Sequence, residues 1–161
     1  MKTTKLIIAF LTSCFLTSCF MGAGTLGGFD TRMFPTSKRK LVQGIDTLFS
    51  KYPNYKIPDK WKSRDDWKER GYDFLDSRIF YFPSDPEEMY YVTFYGDAND
   101  SIQLDTTKTG ISIRAVENAT SGWTLEDNTS SSDKKRIEAR FDKEIISKLE
   151  QYTGTKATRE K

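Results

Sequence analysis

Hydrophobic positions change their spacing along the chain, and each change marks an element. From Lys38 to Lys51, the residues Leu41, Ile45, Leu48 and Phe49 fall at i, i+4, i+7 and i+8, the spacing of one helix face. Pro35 and Thr36-Ser37 supply a start signal, and Tyr52-Pro53-Asn54 a stop. From Arg78 the period drops to two. Ile79-Phe80-Tyr81-Phe82 predicts a strand closed by Pro83-Ser84-Asp85-Pro86. Residues 89–95 predict a second, with Tyr90, Val92 and Phe94 on one face and Met89, Tyr91, Thr93 and Tyr95 on the other. After a turn at residues 96–100, residues 101–105 alternate with Ile102 and Leu104 inward. Residues 110–117 alternate with Ile111, Ile113 and Ala115 on one face, and Gly122–Leu125 adds a short strand.

Past a serine-rich loop at residues 127–132, the helical period returns. Ile137, Phe141, Ile145, Leu149 and Tyr152 form one stripe of a helix that starts near Asp133 and stops at Gly154. Arg140–Glu144 and Glu144–Lys148 are i,i+4 pairs on its other side. Residues 55–77 carry Trp61, Trp67, Tyr72 and Phe74 among charged neighbours, too sparsely for more than a short helix over 59–68. The pattern predicts an α+β fold: an antiparallel sheet of about four to five strands flanked by an N-terminal and a C-terminal helix. One domain is expected over residues 35–154, after a Gly-rich flexible tether at 19–34 and before a frayed tail at 155–161.

The N-terminal stretch carries a different signal. Lys2 and Lys5 precede the apolar run 6–16, which leads into Leu16-Thr17-Ser18-Cys19. That is a secretory signal ending on a cysteine, and it resembles the lipobox of bacterial lipoprotein precursors. Leu11-Thr12-Ser13-Cys14 fits the same pattern, but choosing Cys14 leaves only residues 6–11 as apolar run, below the usual length of about 7–15. A transmembrane span needs roughly 20 apolar residues, more than residues 6–20 provide.

The resemblance implies removal of residues 1–18 and lipidation of Cys19 with a diacylglycerol and usually a third acyl chain, such as palmitate. Two or three chains anchor where one is marginal. It further implies a bacterial cell-envelope address. Phe20 is not the Asp that retains enterobacterial lipoproteins at the inner membrane. The acidic export stretch of surface-exposed Bacteroidetes lipoproteins is absent too, so the expected place is the outer membrane, facing the periplasm. Asp46-Thr47-Leu48, Asp100-Ser101-Ile102 and Asp105-Thr106-Thr107 resemble Bacteroidetes O-glycan acceptors, a pattern easily matched in a chain rich in these residues.

Charge and composition narrow the chemistry. Loss of Lys2 and Lys5 lowers Lys plus Arg from 25 to 23, equal to the acidic count, so no basic footprint for nucleic acid remains. Lys38-Arg39-Lys40 and Lys134-Lys135-Arg136 are expected on solvated helix faces. Both cysteines lie in the signal, which leaves no disulfide and makes stability depend on a core rich in aromatics. The chain has no histidine, which excludes Ser-His-Asp and Cys-His nucleophiles and the common zinc sites. No cofactor or metal is expected. Asp97, Asn99, Asp100 and Asp105 flank a turn but lack the EF-hand spacing.

Two clusters remain. Asp85, Glu87 and Glu88 sit beside Tyr90 and Tyr91, either as a carboxylate and aromatic surface or as a solvated acidic turn. Trp61, Trp67, Tyr72 and Phe74 form either an aromatic contact platform or packing beneath a long loop. With no catalytic residue assigned, the candidate partner-binding residues are Trp61, Trp67, Tyr72, Tyr90 and Tyr91. The expectation is a lipid-anchored binding or assembly module, held by its membrane anchor and contacting another envelope protein or a glycan. A periplasmic immunity or inhibitor lipoprotein and a small carboxylate-dependent glycan hydrolase stay open.

Overall fold

A computed structural model of the protein describes residues 28–95 and 107–161. In chain order these form β1 (Thr31–Phe34), α1 (Lys38–Lys51), β2 (Ser77–Phe82), β3 (Glu88–Tyr95), β4 (Thr109–Asn118) and β5 (Gly122–Leu125). A helical run follows, made of α2 (Ser131–Phe141), a π-turn (Asp142–Ile146) and α3 (Ser147–Thr153), before β6 (Thr158–Glu160). Every strand pairing is antiparallel, in the order β2-β3-β4-β1-β6, and β5 takes up the stretch of β4 that β1 leaves. The fold is α+β, with six strands where four to five were expected. Among the described residues no helix is long and apolar enough to cross a membrane.

Helix α1 has the predicted bounds. Ser37 Oγ accepts the Lys40 amide at 3.3 Å as N-cap, and Leu41, Ile45 and Leu48 are buried along one face. At the other end of the chain, Ser130 Oγ accepts the Asp133 amide at 3.1 Å and starts α2. The stripe Ile137, Phe141, Ile145 and Leu149 is buried as its spacing requires. The π-turn adds a residue to the helical repeat, and Ile146 joins Ile145 in the core. Gly154, at φ 68°, ends α3 in the left-handed conformation that an L side chain rarely adopts.

Both helical stretches cover one face of the sheet. Phe34, Phe80, Phe82, Tyr90, Val92, Phe94, Ile111 and Ile113 point into this core. A bulge alters the expected alternation on β4. Tyr91 pairs with Ala115 but Val92 pairs with Ile113, so Arg114 is an extra residue, and beyond it the faces exchange. Val116 therefore faces the helices, while Ala115, expected beside Ile113, faces the other way.

Both expected flexible ends are corrected where they are described. Phe29 and Phe34, placed in the tether, are buried, the Phe29 amide donates to Ile113 O at 3.0 Å, and β1 pairs with β4. The tail forms β6 on the outer edge of β1, where Arg159 Nε donates to Asp30 at 2.6 Å. Strands of four and three residues carry too few alternations to register as a period. The short helix expected over 59–68 is a 3-10 turn, Asp59–Arg64. Cys14, Cys19, the strand expected at 101–105 and the cluster Asp97, Asn99, Asp100 and Asp105 lie outside the described residues.

Candidate functional site: a cleft beside a buried carboxylate

Glu88 begins β3 on the same face as Tyr90, so the pleat drives its side chain toward the helices. Only 1% of the residue is exposed, and a carboxylate taken out of water costs several kcal/mol unless it is paired and hydrogen-bonded. Helix α2 supplies the pairing. Arg136 and Arg140, one turn apart, both reach it. Arg136 donates Nη1 to Oε2 at 2.9 Å and Nη2 to Oε1 at 2.7 Å, a two-pronged contact. Arg140 Nη1 donates to Oε2 at 3.0 Å, and the Tyr90 hydroxyl donates to the same oxygen at 3.0 Å.

The electrostatics follow from these contacts. The hydrogen bond to Glu88 raises the Arg136 guanidinium above its ordinary value, against the desolvation that lowers it. Burial, then the charge of Glu88, pushes the Tyr90 hydroxyl up, so it stays a donor. Arg140 also ties the preceding turn to the helix, donating to Ser84 O at 2.9 Å and Pro86 O at 2.7 Å, with its guanidinium 4.9 Å from the Phe82 ring centre.

A cleft of about 280 Å³ opens over this network, with Glu88 and Arg136 at its floor and Asn118, Ser121, Thr124 and Asn128 on its wall. A second hollow of about 480 Å³ continues past Asp85 and Glu87. The wall is largely hydroxyl and amide, joined by the Asp133 carboxylate and the apolar Val116 and Ile137, while the side chain of Arg136, paired with Glu88 and Asp133, is 37% exposed. Such a site suits a neutral polar ligand with an acceptor at one end.

The acidic cluster of the sequence is thus divided. Glu88 is structural. Glu87 sits at the outer hollow, where Lys60 at 2.5 Å and the Tyr81 hydroxyl both bond its carboxylate. These bonds, that of Lys60 first, hold the Glu87 carboxyl below its usual range. A glycosidase general acid needs the opposite shift. Asp85 is exposed. Among the described residues, no three His, Cys, Asp or Glu side chains are grouped to hold a metal ion.

Four of the five candidate partner-binding aromatics are core residues. Trp67 stacks on Tyr91, with ring centres 4.1 Å apart and planes 13° from parallel, and Trp61 meets Tyr81 edge-on at 5.9 Å. Both tryptophans are 4% exposed and Tyr91 1%, since they cover the sheet face opposite the helices. Tyr90 is fully buried and enters the site only through its hydroxyl on Glu88. Tyr72 alone is half-buried. The sequence reading missed Arg136 and Arg140, which it assigned to solvated helix surface. The available signal was their i,i+4 spacing beside the buried positions Ile137 and Phe141. No family model matches the chain, and no curated protein and no solved structure matches it either.

Proposed function

We propose that the protein is a lipid-anchored module of the bacterial cell envelope that binds, without catalysis, a glycan-type ligand in the cleft beside Glu88. The lipobox-like Leu16-Thr17-Ser18-Cys19 supports the anchor. The cleft carries the binding reading: a largely hydroxyl and amide wall, with the Asp133 carboxylate in it, stands over a floor where Glu88 is paired with Arg136 and Arg140. Arg136, Arg140 and the Tyr90 hydroxyl hold the Glu88 carboxylate in that floor. Affinity would come from hydrogen bonds to hydroxyls and amides of the ligand, and orientation from the outer edge of Arg136.

The test is retention of the acylated full-length protein on isolated peptidoglycan and on outer-membrane glycan fractions. Ser121, exposed at the cleft wall, offers an obstruction that leaves the Glu88 network untouched. S121W should lower retention at least tenfold with an unchanged melting temperature. Equal retention by S121W, or release of reducing ends by the unaltered protein, would sink the reading. Metabolic labelling with an alkynyl fatty acid, lost in Cys19→Ser, checks the anchor separately.

A further inference from the structure

Among the described residues, the sheet face opposite the helices is not covered along its whole length. Trp61, Trp67 and Trp123 cover Tyr81, Met89, Tyr91 and Ala115. Toward the other end of β3 the cover stops. Tyr95, on the same face as Tyr91, is 62% exposed, and a Cβ at Gly110 would lie 2.9 Å from the Tyr95 Cβ and 2.5 Å from Met33 Sδ. Phe74 is also 62% exposed. Its ring lies 6.3 Å from that of Tyr72, which in turn packs on Trp67, and the Phe94 amide donates to Asp76 O at 3.1 Å, setting this turn against the end of β3. Two of the three most exposed large hydrophobics among the described residues therefore share one corner of the molecule.

The described chain begins near that corner, in the plane of the sheet, where the Phe29 amide donates to Ile113 O at 3.0 Å and sets Gly28 beside β4. At Gly28 a Cβ would lie 2.8 Å from Arg114 Nη1 and 2.9 Å from Ser112 Oγ. Arg114 Nε donates to Thr93 Oγ1 at 2.7 Å, and burial pulls its guanidinium below the ordinary value. Nine peptide steps separate Cys19 from Gly28, a reach of about 30 Å at full extension. A globule of this chain length has a radius near 18 Å, so the path over its surface to the opposite pole is roughly 55 Å. A fully extended link covers only about half of that path, so it favours the surface nearest Gly28, which includes this corner.

On the basis of the lipid-anchor reading, we propose that the corner formed by Phe74, Tyr95 and Met33 seats on the lipid bilayer. Tyr suits the boundary between headgroups and acyl chains, its hydroxyl wet and its ring apolar, while the wholly apolar Phe ring inserts beside it. The adjoining segment 56–76 carries six basic and six acidic residues. Docking therefore rests on the rings and does not require anionic lipid. The contact is weak by itself, but the acylated Cys19, fourteen residues before Met33, keeps it at high effective concentration. Strand β3 runs from Tyr95 to Glu88, and its length holds the cleft roughly 23 Å further from the membrane.

The mature chain has no thiol other than that of Cys19, so single cysteines can report position. The acylated protein in phosphatidylethanolamine–phosphatidylglycerol vesicles would carry an environment-sensitive fluorophore at Phe74→Cys, Tyr95→Cys or, at the cleft, Asn128→Cys. Nitroxide lipids should quench the first two at least fivefold more than the third. Vesicle partition of the Cys19→Ser chain should fall at least fivefold in the Phe74→Ser/Tyr95→Ser variant, equally with neutral and anionic lipid. Quenching that is equal at all three sites, or strongest at Asn128→Cys, would overturn the proposal. So would labels at 74 and 95 that become shielded without lipid quenching, which would mean a second copy or another protein covers the corner. If mass spectrometry finds Cys19 unacylated, the anchor fails, while partition of the Cys19→Ser chain still reports on the surface.

Discussion

The two faces of this sheet are closed by different materials. On one side α1, α2 and α3 lay aliphatic and phenylalanine side chains over Phe80, Phe82, Val92, Ile111 and Ile113. On the other, a segment whose regular structure is a single 3-10 turn lays Trp61 and Trp67 over Tyr81 and Tyr91, with Trp123 between them from β5. Each side also buries a carboxylate. Glu88 on the helix side has two arginines and a tyrosine, whereas Glu117 on the loop side has Arg64, which is also held 4.9 Å over Trp61. A helix satisfies its own backbone and can close a face with hydrocarbon alone. A loop cannot, so its cover consists of large rings whose polar edges then need partners, as Trp123 Nε1 finds in Arg64 O at 2.8 Å.

The comparison breaks first at a buried ring that each cover lays on the sheet. Phe141→Ala on the helix side and Trp67→Ala on the loop side should each destabilise by about 3–5 kcal/mol in urea unfolding. Both are nearly inaccessible, Phe141 at 1% and Trp67 at 4%. A loss below roughly 1 kcal/mol for Trp67→Ala would mean that the loop is a detachable flap and not part of the core. A lowered m-value in that variant would point to the same conclusion.

Next come the carboxylates. Glu88→Gln leaves two guanidiniums without their counter-charge and should cost about 3 kcal/mol, within the range for breaking a buried pair. Glu117→Gln should cost less, about 1–2 kcal/mol, because the Arg64 side chain is 39% exposed and regains water. Equal losses would show that the number of partners does not set the cost.

This asymmetry also explains what could be read from the chain. Helix α1 was legible to its end residues because Leu41, Ile45 and Leu48 announce a stripe locally. The core strands β2 to β5 were legible from alternation and turn residues. The bulge at Arg114 was not, since a single extra residue shifts the phase without any compositional mark. Nor was the Glu88 site, whose arginines lie 48 and 52 residues away in sequence. Trp61 and Trp67 were seen, but an aperiodic aromatic looks the same whether it covers a sheet or faces a partner. Only the third dimension separates those cases.

Alkaline pH offers a finer probe of the helix side. Tyr55 is raised to about 12, first by burial and then by the charge of Glu144, whose Oε2 accepts its hydroxyl at 3.1 Å. The folded state thus keeps a proton that the unfolded chain releases near pH 10. Above that point the unfolded state binds fewer protons, and stability falls as pH rises from about 10 to about 12. Tyr55→Phe should flatten that part of the profile in denaturant titrations at successive pH values. A profile unchanged by the substitution would remove Tyr55 as its source.

The smallest effect should come from Trp67→Phe, and it tests the loop side most sharply. The indole Nε1 is buried and has no hydrogen-bond partner among the described residues, unlike that of Trp123. A buried donor left unpaired costs about 1–3 kcal/mol. Phenylalanine removes that donor and keeps a ring able to stack on Tyr91, but it gives up the area of the second ring against Tyr72 and Trp123. The two contributions oppose each other, so the net change should stay within about 1.5 kcal/mol, the scale of conservative core exchanges. A loss as large as that of Trp67→Ala would show that the Nε1 proton is bonded in solution, by a water held under the loop. A small change would establish that this side of the sheet tolerates an unpaired polar atom, whereas on the helix side the buried Glu88 and the Tyr90 hydroxyl are paired.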